Sequence, residues 1–342
     1  MANLGERLTS YMAEATMHRS VRVGLENAEK NQPYFGKTIN DLAGIRPKEP
    51  SGSAIVIVGG PSLQRKRSVE RIAASGFKGD IISADGSMGR CLRNDLVPNY
   101  IVTLDPDYLG YRIVRWFGDP EIETRPKDDY FRRQDLDPEH WRDERRTNRE
   151  TIDLVNRHGK KIKAIISTSA HPTVTKRCID SQMDLYWWSP IYDDYDSPNS
   201  ITRKLFESNR IPCMTTGGNV GTSAWIFAHA VLKRKHVAIV GMDLGYAPGT
   251  PITQTQYYKE LVEIFGNRAP EALISIHNPY LNEVWLTDPA YNWYRKIFID
   301  LAREANCITY NCTEGGTLFG DPIRFIPLSE FLSKFVKQEK EE

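Results

Sequence analysis

The chain has 342 residues, of which 40% are hydrophobic, and its 45 basic and 44 acidic side chains give a net charge of +1. This length and composition allow a full hydrophobic core in one large decorated domain or in two domains. The near-neutral balance excludes the global positive field that favours nucleic acids or anionic membranes, although a local basic site remains compatible with it.

The five cysteines indicate a reducing compartment. They are scattered and form no Cys-x-x-Cys pair, so neither a zinc site nor a redox motif is predicted. The N-terminus has no signal-peptide pattern, and no apolar run approaches the roughly 20 residues that cross a bilayer. We therefore expect a soluble, cytoplasmic protein with reduced, buried thiols, no membrane span and no nucleic-acid partner.

Residues 1–49 are predicted to form a helical extension and a linker. Leu4, Leu8 and Met12 recur at helical spacing, and Pro33 interrupts the pattern. Such a helix packs either against the main domain or against a second subunit. The sequence therefore leaves a homo-oligomer open.

The central stretch of the sequence is an apolar run over 54–58 that ends in Gly59, Gly60, Pro61 and Ser62. Such a run is typical of a strand buried in a parallel sheet. The glycines allow a tight turn, and Pro61 suits the first turn of a helix, predicted here over 62–75. This arrangement predicts an anion site, although the glycines could also serve only to turn a strand into a helix. It matches neither G-x-G-x-x-G nor the P-loop.

Three cations, Arg65, Lys66 and Arg67, lie in the first turns of that helix. Cations are unfavourable near the positive end of a helix, so their position is unusual unless an anion binds nearby. Taken singly, each is more simply explained as a solvated surface side chain.

Strands and helices alternate from residue 54 to residue 316, with strands predicted near 79–84, 100–104, 161–167, 183–188, 211–214, 236–240 and 307–312. This rhythm predicts an α/β fold, a Rossmann-like doubly wound and mainly parallel sheet. In such sheets ligands lie outside the carboxyl ends of the strands. The candidate site residues that follow the strands are Asp85, Asp105, Asp107, Ser167, Thr168, Ser169, His171, Gly241, Asp243 and Tyr246.

A second glycine-rich stretch, Thr216, Gly217, Gly218 and Asn219, opens a helix predicted over 221–233 and could also cradle an anion. Residues 118–150 are dense in charges of both signs and predict a solvated helical insertion. Residues 247–285 contain four prolines and predict a long irregular stretch, a lid or a disordered loop. We assign the Rossmann-like domain to residues 50–327 and a C-terminal helix to 328–342.

Four stretches together resemble the 6-hydroxymethylpterin diphosphokinase MptE-like family, which includes the central domain of the motility accessory factor (Maf) glycosyltransferases. They are Ile-Val-Gly-Gly-Pro-Ser-Leu (57–63), Ser-Ala-Asp-Gly-Ser (83–87) with Val-Thr-Leu-Asp-Pro-Asp (102–107), Thr-Gly-Gly-Asn-Val-Gly-Thr (216–222) and Val-Gly-Met-Asp-Leu-Gly-Tyr (240–246). The Asn-Cys-Thr-Glu-Gly-Gly stretch (311–316) is similar to the end of the Maf domain. The Gly-Pro-Ser-Leu turn also resembles the nucleotide-binding turn of some bacterial sialyltransferases.

The resemblance implies a nucleotide ligand and leaves two chemistries open, and a third function, from another class, is kept beside them. The first is a transferase that moves a nonulosonic or sialic-acid-like sugar from a CMP-sugar donor. The second is an ATP-dependent 6-hydroxymethylpterin diphosphokinase. The third is a non-catalytic nucleotide-binding protein. The acceptor (glycan, protein or pterin) is not predicted, and no organic cofactor is expected besides the nucleotide.

The expected roles of the site residues follow from these chemistries. Asp105, Asp107 and His171 are the candidate catalytic groups, and His171 could equally cap a helix. Asp105 and Asp107 could hold Mg²⁺, which prefers carboxylates and phosphate oxygens. The nucleotide and its phosphate are assigned to Gly59, Gly60, Pro61, Ser62, Asp85, Ser167, Thr168, Ser169, Thr216, Gly217, Gly218, Asn219, Gly241, Asp243 and Tyr246.

Overall fold

A computed structural model of the protein describes residues 21–104, 149–255 and 258–336. Its strands in chain order are β1 Ser53–Ile57, β2 Asp80–Ala84, β3 Tyr100–Thr103, β4 Lys163–Ser167, β5 Asp184–Pro190, β6 Cys213–Met214, β7 His236–Val240, β8 Ile274–Asn278, β9 Glu283–Thr287, β10 Ile308–Asn311 and β11 Arg324–Phe325. Within these residues, β8 and β9 form an antiparallel hairpin, and the other nine strands form one sheet.

The sheet has the order β11-β10-β7-β1-β2-β3-β4-β5-β6, and the described strand pairs in it are parallel. From β1 the chain builds outward through β2 to β6, and then returns to place β7 on the other side of β1. In register, Ile55 faces Ile81 on β2 and Ala238 on β7. The direction of winding therefore reverses between β1 and β7. This order confirms the α/β, Rossmann-like, doubly wound fold that the sequence predicts.

Helices cover both faces of the sheet, because alternate residues of each central strand are buried on opposite sides. On one face, Val56 packs with Trp225 and Phe298. On the other face, Ile57 packs with Phe331. In the part of the chain that the structure describes, the α-helices are Arg22–Asn31, Pro61–Arg65, Ser68–Ser75, Met88–Arg93, 149–158, Pro172–Asp180, Ile201–Asn209, Val220–Ile226, Tyr258–Phe265, Pro289–Glu304 and Leu328–Val336.

Two predicted helices differ from the observed ones. The helix expected over 62–75 is interrupted at Arg67, whose φ of 48° places it in the left-handed region, so only Pro61–Arg65 follows the glycine turn. The helix expected over 221–233 is α-helical over Val220–Ile226 and continues as a π-helix over Phe227–Val231. Neither change in backbone conformation has a distinct local sequence signal.

The prediction that residues 247–285 are irregular is wrong. This stretch contains the helix Tyr258–Phe265 and most of the β8–β9 hairpin. The hairpin is joined to the segment that follows β7 by an isolated antiparallel bridge between Tyr246 and Leu286. The hairpin strands enclose a four-residue turn, which is a normal hairpin loop length. Whether the stretch acts as a lid remains a prediction. The charged insertion at 118–150 lies outside the described residues except for 149 and 150.

The described part of the N-terminal extension packs on the loop after β4. Its helix, Arg22–Asn31, directs two buried asparagines at that loop. Asn27 Nδ2 donates to Ser169 O at 2.9 Å, and Asn31 Nδ2 donates to Thr168 O at 3.1 Å and to Ala170 O at 2.8 Å. Buried carbonyls need such donors, so the helix is part of the domain core.

All five cysteines are free thiols, as the sequence predicts, and three of them are buried. In the described segments, no helix is both long and apolar enough to cross a bilayer.

Replacement of Asn31 tests how firmly the extension is attached. Asn31→Ala removes both donations to the loop and the acceptor for Thr175 Oγ1, which lies 2.8 Å away. Because buried groups left without partners cost about 1–3 kcal/mol each, we expect a loss of about 3 kcal/mol in the free energy of unfolding, measured by urea denaturation. Glu29→Ala, at an exposed position on the same helix, should change it little. Equal stabilities for the two variants would contradict a core role for the helix.

Candidate functional site

The turn after β1 continues the pairing of β1 with β7. Val58 N donates to Val240 O at 2.9 Å, and Gly60 N donates to Gly241 O at 2.8 Å. A Cβ atom at Gly60 would lie 2.5 Å from Gly241 O and would also collide with the Asp243 carboxylate. Gly60 is therefore required for packing between the two strand ends, rather than for the approach of a ligand.

Gly59 has a different environment. It is exposed, and the nearest heavy atom to a Cβ built there is Ser87 Oγ at 3.5 Å, an ordinary contact distance. The Ser87 side chain is buried, and its hydroxyl has no hydrogen-bond partner among the described residues. Gly59 is therefore the open point of the turn, where a ligand can reach the backbone.

Asp243 occupies the position at which the sequence predicts a bound anion. Its side chain is 2% exposed; Ser62 N donates to Oδ2 at 3.1 Å, and the Ser62 hydroxyl donates to Oδ1. Both predicted phosphate donors of Ser62 are thus used by an internal carboxylate. Burial raises the pKa of Asp243 to about 6, although the hydrogen bonds from Ser62 and the charge of Arg65 lower it.

The segment after β10 closes over this pair. Thr317 N donates to Asp243 O at 2.8 Å, and Met242 N donates to Thr313 Oγ1 at 3.2 Å. A Cβ at Gly315 would lie 3.0 Å from Asp243 Oδ1 and would collide with the Ser62 hydroxyl. The ends of β1, β7 and β10 are therefore fixed to one another.

A cavity of about 240 Å³ opens beside this junction and is lined by residues that include Ser62, Arg65, Lys66, Glu283, Trp285 and Glu314. We call it the basic cavity after Arg65 and Lys66, although Glu283 and Glu314 also line it. The sequence did not predict it, because Glu283 and Trp285 reach it from the β8–β9 hairpin and Glu314 from the segment after β10. The one sequence signal was the unusual position of Arg65 and Lys66 at the start of a helix.

The second glycine-rich stretch lies near the same point from the other face. A Cβ at Gly221 would lie 3.0 Å from both Cγ atoms of Val58, so the start of this helix covers the end of β1. Asn219 caps the helix, since its Oδ1 accepts from Thr222 N at 2.9 Å and its Nδ2 donates to Thr222 Oγ1 at 3.0 Å. Thr216 Oγ1 accepts from Gly218 N at 3.1 Å. Gly217 and Gly218 adopt positive φ angles of 57° and 87°.

Asp85 lies at the end of β2, beside β1, as predicted. It is 3% exposed, and its Oδ1 accepts from Gly86 N at 2.6 Å.

Asp105 and Asp107, the predicted catalytic and metal-binding carboxylates, lie outside the described residues, so their roles remain predictions. Where the structure describes the chain, no group of three or more His, Cys, Asp or Glu side chains could hold a metal ion.

The residues after β4 form a separate, buried cluster. Ser167, Thr168 and Ser169 are at most 2% exposed. Ser167 Oγ lies 2.6 Å from Ser169 Oγ, and Thr168 Oγ1 lies 3.1 Å from Ser189 Oγ. Three strand spacings of about 4.8 Å separate β4 from β1, or roughly 14 Å. The hydroxyl groups of Ser167, Thr168 and Ser169 therefore form hydrogen bonds within the fold and lie away from the turn after β1.

His171 caps the helix Pro172–Asp180. Its Nδ1 accepts from Thr173 N at 3.3 Å. Burial and the nearby charge of Lys30 lower its pKa, which favours the neutral ring that such a cap requires. The sequence left open whether His171 is a catalytic group or a helix cap, and the structure shows the capping contact.

Tyr246 is also engaged inside the fold. Its hydroxyl donates to Asp288 Oδ2 at 2.5 Å, and Asp288 in turn caps the helix Pro289–Glu304. Burial raises the pKa of Asp288. The predicted site residues therefore fall into two sets. One set lies at the β1–β7 junction, where Gly59 is accessible, and the other makes hydrogen bonds that stabilise the surrounding fold.

No protein-family model matches the chain, and no curated protein matches it. Among solved structures, it is similar to the Maf glycosyltransferase from Magnetospirillum magneticum AMB-1, with a TM-score of 0.49 and 14% sequence identity over 90% of this chain and 38% of that chain. The chain thus spans about two fifths of that protein's length. The fold described above rests on the order and register of the strands, not on this similarity.

The buried carboxyl of Asp243 predicts a pH-dependent stability. Its pKa of about 6 in the folded state exceeds the ordinary 3.8, so the folded state holds the proton more tightly than the unfolded chain. The free energy of unfolding should therefore fall by up to about 3 kcal/mol as pH rises from about 4 to about 6. Urea denaturation across this range measures the effect.

Asp243→Asn should remove this part of the pH dependence, whereas Asp196→Asn, at an exposed position, should leave it in place. A wild-type slope that persists in Asp243→Asn would show that another group is responsible.

Proposed function

We propose that the protein is a nucleotide-dependent transferase that moves a nonulosonic or sialic-acid-like sugar from a CMP-sugar donor to an acceptor. The observation that carries the proposal is the exposed Gly59 at the β1–β7 junction. In doubly wound sheets, ligands lie outside the carboxyl ends of the strands where the winding reverses. Gly59 is the point at this junction where the backbone itself is accessible.

The positions of the family-like stretches support the same location. The stretches 57–63, 216–222, 240–246 and 311–316 are far apart in sequence, and all contribute to the ends of β1, β7 and β10. Their glycines permit close backbone packing there. A nucleotide that lies across Gly59 would contact the turn after β1 on one side and the helix start at Asn219 on the other.

Transfer of the sugar requires two functions of the protein, charge stabilisation and proton acceptance. An acceptor hydroxyl attacks the anomeric carbon, the bond from that carbon to the phosphate oxygen breaks, and CMP leaves with the electron pair. The protein must stabilise the charge that develops on the phosphate and must accept the hydroxyl proton. Asp105 and Asp107 remain the predicted proton acceptors. His171 is a poorer candidate, since its Nδ1 is committed to the helix cap.

Gly59→Ala tests the location of the nucleotide. The added methyl group fits the fold, because Ser87 Oγ at 3.5 Å is its nearest neighbour, but it occupies the space that a ligand would use. We expect at least a tenfold weaker affinity for CMP and CMP-N-acetylneuraminic acid by isothermal titration calorimetry, with an unchanged thermal midpoint. Gly36→Ala is the matched control, since its Cβ meets no atom within 4 Å.

Titrations and turnover assays of the wild type with each candidate donor separate the proposal from its alternatives. Release of CMP from the CMP-sugar supports the transferase. Binding of ATP with Mg²⁺ and diphosphate transfer to a hydroxymethylpterin would instead favour the diphosphokinase, and nucleotide binding without turnover would favour a binding protein. Wild-type affinity in Gly59→Ala would reject the location.

A further inference from the structure

We infer that the basic cavity binds the phosphate group of a phosphorylated sugar or nucleotide, through Arg65 and Lys66. The cavity has a volume of about 240 Å³ and shares Ser62 with the turn that carries Gly59. The inference rests on the proposed function only for the identity of the nucleotide that carries the phosphate. It concerns a site that the sequence did not predict.

The charged side chains around the cavity differ in whether they have a bonding partner. Glu314 forms an ion pair with Arg71, and Glu283 Oε2 accepts from Trp285 Nε1 at 3.0 Å. For Arg65 and Lys66, the described part of the chain offers no ion-pair partner within 4.0 Å. Among the described residues, two exposed cations therefore line a shared concave space without an ion pair of their own, while the buried Asp243 carboxylate interacts with Arg65 at longer range. This arrangement suits an anionic ligand.

The start of the helix Pro61–Arg65 does not provide this site. Its Ser62 N–H and hydroxyl are both used by the Asp243 carboxylate. An external anion must therefore be held by side-chain cations and not by the backbone donors of the turn. This moves the phosphate away from the glycines and toward Arg65 and Lys66, one helical turn further along.

The carboxylates of Glu283 and Glu314 restrict which anionic ligands can bind in the cavity. Two cations, Arg65 and Lys66, and two anions, Glu283 and Glu314, line the cavity. A phosphate ester of a sugar fits this mixture, because its hydroxyls can donate to Glu283 while its phosphate contacts the cations. A bare polyanion would gain less.

The size of the cavity points to part of a nucleotide. Pockets for complete drug-sized ligands typically measure about 300–1,000 Å³, which exceeds the 240 Å³ found here. The cavity therefore accommodates a phosphate with its adjoining sugar, and the remainder of a nucleotide extends along the strand ends past Gly59.

Charge-removal variants test the inference. We would titrate the wild type, Arg65→Ala/Lys66→Ala and Arg67→Ala with CMP and with cytidine by isothermal titration calorimetry. Arg67 is the matched control, because it is the next cation in the sequence, its side chain is 77% exposed and it does not line the cavity. We expect the wild type and Arg67→Ala to bind CMP at least tenfold more tightly than cytidine. The double variant should lose this preference while its cytidine affinity stays within twofold.

Each other result is decisive. Equal affinities for CMP and cytidine in the wild type, or a preference that survives in the double variant, would overturn the inference while nucleotide binding stands. If neither CMP nor cytidine binds, glucose 1-phosphate and pyrophosphate are titrated instead. Binding that the double variant loses then supports the cavity but rejects the nucleotide-dependent function, and no binding overturns both.

Discussion

The hydrogen bonds between Ser62 and the buried carboxylate of Asp243 determine the geometry of the candidate site. They join two residues 181 positions apart and fix the turn after β1 to the end of β7. Gly60 and Gly315 lack side chains where this carboxylate needs room. The same contact uses the donors that a glycine-rich turn would otherwise offer to a phosphate. A ligand at this junction must therefore bind beside the carboxylate.

Two accessible features remain at the junction, and they are adjacent. Gly59 exposes the backbone, and the basic cavity begins at Ser62, three residues later. One nucleotide can therefore contact both, with its phosphate in the cavity and its remainder across the glycine. The polar loop after β4 has a different role, since the N-terminal helix covers it and Asn31 binds its carbonyls. Its hydroxyls stabilise the fold.

The sequence was sufficient for the sheet and for the turn, because strand periodicity and the glycines are local signals. It could not show that Asp243 fills the predicted anion position, since this depends on β7 lying beside β1. The β8–β9 hairpin had a usable signal in the alternation of apolar and polar residues over Ile274–Asn278, which the nearby prolines obscured. His171 illustrates the limit: its place at a helix start was predictable, but only the structure shows which atom its ring binds.

The most direct test of this account is a crystal structure of the protein with CMP. We expect phosphate oxygens about 2.7–3.2 Å from the side-chain nitrogens of Arg65 and Lys66, with the ribose against Gly59 and the Ser62–Asp243 contact intact. CMP bound instead in the loop after β4, or with its phosphate on the backbone of the turn after Asp243 has been displaced, would contradict it.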